Sequence, residues 1–267
     1  LRSQDLEGKW FLALGASSGF GAATLRAMAK RGMNIFGVHM DRKAMMPQVE
    51  ALVDELKAEG VEVHFFNINA ADPTRRAEVL DEMGDIMDEG QGIRVLMHSL
   101  AFGALKPFVE GEDPNNWINI SQMEMTCDVM GHSLIYWTQD LIRRKMFEEN
   151  GRIFAMTSSG SSRIWSSYGA VSAAKATLES HIRQLAVELA PLGITANSIR
   201  AGVTDTPALR KIPGNDNMLR IAGERNPSGR LTKAEDVADA IALLCEPGTR
   251  WMTGNVIGVD GGEDIVA

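Results

Sequence analysis

The sequence predicts an α/β protein, one domain over residues 1–267 built on a doubly wound, seven-stranded parallel sheet. Three observations predict it. Short apolar runs alternate with longer stretches of helical period along the whole chain. Of the 267 residues, 45% are hydrophobic and 23% charged, enough apolar material for a two-sided core and no mark of disorder. A glycine-rich turn also joins the first apolar run to the first helical stretch, the junction where open α/β sheets bind ligands.

The candidate strands are Lys9–Leu14, Asn34–Val38, Val61–Asn67, Arg94–His98, Gly151–Thr157, Thr195–Ile199 and Asn255–Val259, each rich in Val, Ile, Phe or Leu. Between them, Ala22–Arg31, Met46–Glu59, Arg75–Met87, Cys127–Glu148, Tyr168–Ala190 and Ala234–Leu244 carry apolar residues at helical spacing. Gly32, Gly60 and Gly193 stand just past three of these helices, where a left-handed residue ends a helix. Thr204–Lys233 has no clear period and is rich in Pro, Gly and Asn, so it is expected to be a lid over a site.

A formal charge of −8 argues against nucleic acid or an anionic membrane as partner. No apolar run approaches the ~18 residues of a membrane span. Two cysteines far apart, Cys127 and Cys245, suggest neither a disulfide framework nor a metal site, and a reducing cytoplasm is the expected location. A small-molecule substrate is expected.

Gly15-Ala16-Ser17-Ser18-Gly19-Phe20-Gly21 follows the first strand and opens into a helix. Such glycines let the backbone turn tightly and approach a pyrophosphate, which free N–H groups at the helix N-terminus can bind. Taken alone, the cluster reads equally well as an ordinary turn. Its spacing, G-x-x-x-G-x-G, together with the motifs downstream, resembles the short-chain dehydrogenase/reductase family over nearly the whole chain, which implies a Rossmann fold and a pyridine-nucleotide cofactor. The resemblance assigns cofactor contacts to Asn69 and Ala70 after the third strand, and to Ser99, Leu100 and Ala101 after the fourth. It assigns more to Gly202, Val203, Thr204 and Thr206 after the sixth, with Val259-Asp260-Gly261-Gly262 matching the family's C-terminal signature. At the end of the second strand His39 replaces the acidic residue that would favour NADH. Arg42 and Lys43 follow, cations suited to a 2′-phosphate or to a solvated helix start, so NADPH is expected over NADH.

Tyr136 and Tyr168 are the only tyrosines, which limits the candidates for a phenolic acid. Tyr168 precedes Lys175 by seven residues, about two helical turns, which places both on one face. A phenol can donate to a developing oxyanion, and a neighbouring ammonium is expected to lower the phenol's pKa. Within the family, Tyr-x6-Lys resembles the enoyl-acyl-carrier-protein reductases, while the glycine turn resembles their divergent NADPH-dependent branch. The general family has its tyrosine four residues before the lysine, where this chain has Val171, and its catalytic serine ten before the tyrosine, at Ser158. An asparagine that supports proton relay in the general family has no counterpart at Asp128-Val129-Met130. His98 reads as an acid or as a hydrogen-bonded structural residue.

The resemblance implies NADPH-dependent reduction of a trans-2-enoyl thioester, carried by acyl carrier protein or coenzyme A, with Tyr168, Lys175 and Ser158 as catalytic residues. It further implies a homotetramer and a place in fatty acid synthesis. A ketoreductase or hydroxysteroid-type dehydrogenase, and a catalytically silent NADP-binding regulator, stand as alternatives. Leu209–Lys233 carries Arg210, Lys211, Arg220, Arg225, Arg230 and Lys233 against Asp216 and Glu224, which reads either as a basic rim that steers an acidic carrier protein or as cations paired with acids elsewhere or with the cofactor phosphates.

Overall fold

In a computed structural model, residues 4–266 are described, so the extreme ends of the expected domain lie outside the described residues. Seven parallel strands form one sheet in the order β3-β2-β1-β4-β5-β6-β7: β1 Trp10–Leu14, β2 Asn34–His39, β3 Val63–Asn67, β4 Ile93–His98, β5 Phe147–Ser158, β6 Thr195–Ala201 and β7 Val256–Val259. Leu14 stands in register with Val38 on one side and His98 on the other. The strand order reverses between β1 and β4, and the turns leaving those two strands flank the crevice where doubly wound sheets take their ligands.

Alternation along the strands feeds two cores. Trp10, Leu12 and Leu14 of β1 face one side, where α3 (Pro73–Ile86), α5 (Ser133–Arg143) and α6 (Gly169–Glu188) bury Leu80, Trp137 and Ile182. Phe11 and Ala13 face the other side, where α1 (Gly19–Ala29), α2 (Met46–Lys57) and α8 (Ala234–Leu244) bury Leu25, Leu56 and Ile241. A sheet covered on both faces needs apolar residues at successive positions, which explains strands that read as continuous apolar runs.

Two expectations need correction. Cys127–Glu148 is not one helix: α4 runs Ile120–Cys127, a wide turn of π type follows at Asp128–His132, and α5 ends at Arg143 before β5 begins at Phe147. The start is a capping box, with Asn119 Oδ1 accepting from the Gln122 N–H and Gln122 Oε1 accepting from the Asn119 N–H. Lys145 ends the unit at φ +57°, with Met146 N–H reaching Leu141 O at 2.8 Å, a left-handed termination that a lysine does not announce. The expected structureless lid also contains a helix, α7 (Asn215–Arg225), entered from Gly214 at φ +76°. Only Ala222 of α7 is buried, so its apolar stripe is too thin to register as a period.

Candidate active site

The glycine turn is built by main-chain proximity. Gly15, at φ +93°, lies so close to the turn after β4 that a Cβ would stand 2.4 Å from Ser99 O, and a Cβ on Gly21 would stand 1.9 Å from Gly15 O. No other residue fits either place. Ser99 N–H donates to Leu14 O at 2.7 Å, which fixes the second turn to the end of β1. Gly19, at φ +54°, faces Thr206, and a cleft there is lined by Gly19, Ala23, Thr204, Thr206, Arg230 and Thr232. At the N-terminus of α1 the Ser18 side chain caps no backbone group and the first turn holds no acidic residue. That leaves N–H groups and the positive end of the helix dipole open to an anion, so the cradle fits a dinucleotide's pyrophosphate.

The other expected cofactor positions are spread along the same edge of the sheet. Asn69 is exposed and closes its own turn through Oδ1 and the Ala71 N–H, while Ala70 is buried with its carbonyl accepting from Trp137 Nε1 at 2.8 Å. Thr204 and Thr206 are both buried, and their hydroxyls serve the turn itself: Thr204 donates to Gly202 O and Thr206 accepts from the Leu209 N–H. His39 is buried with Nδ1 2.9 Å from Asp41, whereas Arg42 and Lys43 are exposed and make no ion pair among the described residues.

Tyr168 is the N-cap of α6 rather than its first helical residue, and its hydroxyl stands 3.4 Å from Ser158 Oγ at the end of β5. Gly160 makes the approach possible, because a Cβ there would stand 2.5 Å from the tyrosine ring. Lys175, in the second turn of α6, is 6% exposed and donates to Met156 O at 2.6 Å, its one hydrogen bond among the described residues. An ammonium has three donors, so two remain for a ligand. Burial pulls its pKa down to about 8 against the opposing charge of Glu179, which is itself held by the Thr157 hydroxyl at 2.5 Å. Val171 is buried in a small cluster with Val129, Met130 and Ala174, against which Tyr168, Leu100 and Leu105 pack.

One expectation changes on this geometry, and two pairs of open readings narrow. The Tyr168 pKa is not lowered by the lysine: burial raises it, and the Ser158 hydroxyl only partly opposes this. The phenol is therefore a protonated hydrogen-bond donor near neutral pH. His98 is no acid, because full burial and the neighbouring Lys175 charge hold its pKa down to about 3. Its Nε2 lies 2.9 Å from Ser133 Oγ, which donates to Val129 O, so the ring works as a buried strut with its proton on Nε2. The basic rim is mostly neutralised. Arg210 pairs with Asp205, Arg220 with Glu224, Arg225 with Glu263 and Arg230 with Asp236, three of these acids lying outside Leu209–Lys233.

Several residues of the site were invisible in sequence. Gly160, the carbonyl of Met156, the Thr157–Glu179 pair and Glu263 act through distant contacts, and only Gly160, two residues past Ser158, carried even a turn signal. Asp128, at the place of the missing asparagine, accepts from the Tyr136 hydroxyl at 2.8 Å in the wide turn between α4 and α5. Among the described residues no cluster of His, Cys, Asp or Glu could hold a metal, and no helix is long and apolar enough to cross a membrane.

Comparison with known proteins places this geometry in a family. The model of the family described as enoyl-(acyl carrier protein) reductase matches residues 15–263. The 1-cyclohexenylcarbonyl-CoA reductase of Streptomyces collinus is 29% identical over 261 residues, 96% of this chain and 87% of that protein. The enoyl-acyl-carrier-protein reductase (NADH) FabI of Aquifex aeolicus is 30% identical over 192 residues, 71% of this chain and 69% of that protein. A solved structure of the Aquifex aeolicus enzyme gives a TM-score of 0.83, at 24% identity, covering 98% of this chain and 99% of that one. The 3-oxoacyl-acyl-carrier-protein reductase FabG of Vibrio cholerae is 26% identical over 258 residues, 97% of this chain and 98% of that protein. The chain is a member of the short-chain dehydrogenase/reductase family that this model describes, and an NAD(P)H-dependent oxidoreductase.

Proposed function

We propose that the chain reduces the double bond of a trans-2-enoyl thioester at the expense of NADPH. The observation that carries the reading is the placement of the acid: Tyr168 stands seven residues before Lys175 with Val171 buried in the position one turn before the lysine. The nucleotide, when bound, supplies hydride to the β-carbon of the substrate. Negative charge then grows on the thioester oxygen, and the protonated Tyr168 hydroxyl donates to it. Lys175 holds the nucleotide ribose with its free donors and adds positive potential near the oxyanion. Ser158 donates a second hydrogen bond or orients the phenol. The turn Gly15–Gly21, with Ser17, Ser18 and Phe20, cradles the pyrophosphate, Ala101 borders it beside Ser99, and Arg42 and Lys43 favour the 2′-phosphate of NADPH.

The relatives support a thioester but divide on the bond reduced, since one is named for an enoyl-type CoA substrate, one for an enoyl carrier-protein substrate and one for a 3-oxoacyl substrate. The Ser158–Tyr168 contact favours ketone reduction as the second reading, with the phenol protonating an alkoxide. With the lid arginines paired internally, coenzyme A and carrier protein are equally acceptable carriers. A homotetramer belongs to the same proposal, supported by the open edge of β7 and by the exposed apolar side chains of Val187, Leu243 and Trp251; a monomer by light scattering overturns that part. The function is tested by following NADPH oxidation with crotonyl and acetoacetyl thioesters side by side. Faster turnover of the enoyl substrate is expected; preference for the ketone selects the second reading, and tight nucleotide binding without turnover of either selects the regulator.

A further inference from the structure

The short turn after β7 gathers three distant parts of the molecule. Glu263 is 3% exposed, and its two carboxylate oxygens go to different segments: Oε2 accepts from the Val203 N–H at 3.0 Å, and Oε1 lies 3.4 Å from Arg225 Nη2 at the end of α7. Asn226, the next residue, donates to Asp260 O at 2.9 Å. Asp264 pairs with Arg200 of β6 and with Arg163 of the loop that precedes Tyr168. Around Glu263 the chain leaves no slack, because a Cβ on Gly202 would stand 2.9 Å from Oε2 and 2.3 Å from Thr232 Oγ1.

A buried carboxylate is a costly way to fill space, and an apolar side chain would serve packing alone as well. What an apolar residue cannot do is hold a main-chain N–H and a guanidinium at once. We propose that Glu263 is a positioning residue that couples the lid helix α7 to the turn Gly202–Thr204, so that the lid and the nicotinamide end of the cofactor site close as one unit. The inference rests on the reading of that turn as the cofactor's resting place.

The charged groups around Glu263 are Arg225 from the lid and Asp260 from its own turn, with the Val203 N–H facing it from the turn after β6. Burial raises its pKa, Asp260 adds to the rise, and the Val203 N–H and Arg225 oppose it. Acidification therefore neutralises the carboxylate and releases Arg225 while an acceptor for Val203 can persist. Coupling of this kind should weaken as pH falls.

Glu263→Gln keeps an acceptor for Val203 and removes the charge that holds Arg225, whereas Arg225→Met leaves the turn untouched. In both variants, hydrogen exchange across residues 215–225 of the nucleotide-free protein is expected to accelerate, with exchange across residues 15–21 unchanged. The KM for the thioester should rise roughly five-fold with a smaller change in kcat, and the double variant should be no worse than either single one, as for two partners of one interaction. Acidification should raise KM in the parent protein more than in Glu263→Gln. Glu263→Ala removes both contacts and should weaken NADPH binding as well, read by fluorescence titration. Unchanged exchange in α7, or single-variant effects that multiply in the double variant, overturn the proposal. The exchange and titration arms stand whichever carbonyl compound proves to be the substrate, so a failure of the enoyl assignment is distinguishable from a failure of the coupling.

Discussion

The turn after β1 and the segment after β6 that is proposed as a lid border the same cleft, yet they are held in opposite ways. Gly15–Gly21 is fixed by backbone against backbone, with no room for a methyl group at two of its glycines. The segment proposed as a lid is tied to the rest of the molecule by side chains: Arg225 to Glu263, and Trp165 Nε1 to Pro213 O at its base. Close packing of main chain has one solution and no cheap alternative, whereas α7 buries only Ala222 and is held by few side-chain contacts. A nucleotide cradle must be rigid to bind phosphates in register. A segment that serves as a substrate lid, as proposed for this one, needs contacts that can break.

The largest effect is expected in the cradle. Gly15→Ala forces a positive φ on an alanine and a clash with Ser99 O, and should cost about 2–4 kcal/mol of stability, read by chemical denaturation, with loss of nucleotide binding. A variant that binds NADPH normally would show the turn to be softer than its contacts indicate. In the reaction itself, Tyr168→Phe should lower kcat by roughly 10²–10⁴-fold while leaving NADPH affinity near that of the parent, since the phenol acts on charge that develops only in the transition state. Loss of cofactor affinity in that variant would move the residue from the acid's role to the cradle.

A smaller effect, reversible with pH, is expected from Lys175. Its pKa is drawn down to about 8, so the ammonium is present below that pH and is lost above it. kcat/KM should therefore fall as pH rises through about 8, well before a free lysine would titrate. His98, held near 3, should contribute no limb between pH 5 and 8. An acid limb that disappears in a His98 variant would contradict its role as a strut. The smallest effect belongs to the lid surface: Arg220→Gln breaks an exposed pair within one helix and should change stability by less than about 0.5 kcal/mol. It should also leave KM for coenzyme A and carrier-protein thioesters nearly equal.

The same contrast explains what the sequence disclosed. The inner strands were legible because burial on two faces leaves a dense apolar record, the edge strand β7 by its Val and Ile run, and the helix Ala234–Leu244 by its apolar period. Gly15 and Gly21 were legible because backbone proximity demands a residue without a side chain, and Gly19 because its φ of +54° favours glycine. The helix α7 was hidden because it buries almost nothing, and the end of α5 because Lys145 adopts a conformation expected of glycine. Charge was the least legible property. The cations of Leu209–Lys233 pair with Asp205, Asp236 and Glu263, which are near in space and outside the segment, so its local charge does not specify its field. The direction of the Tyr168 shift is illegible for a related reason: burial raises the phenol's pKa, Ser158 rather than the lysine opposes it, and the lysine's own hydrogen bond points to Met156.

The measurement that bears most directly on the function is the fate of a deuterium label carried on the transferable position of NADPH, followed by mass spectrometry with an enoyl thioester and its 3-oxoacyl counterpart present together at equal concentration. Enoyl reduction through Tyr168 predicts a saturated thioester with the label on its β-carbon and a solvent proton on its α-carbon, formed in excess over any labelled alcohol. A labelled 3-hydroxyacyl thioester, with the enoyl compound recovered unlabelled, would contradict the account and make the chain a ketoreductase.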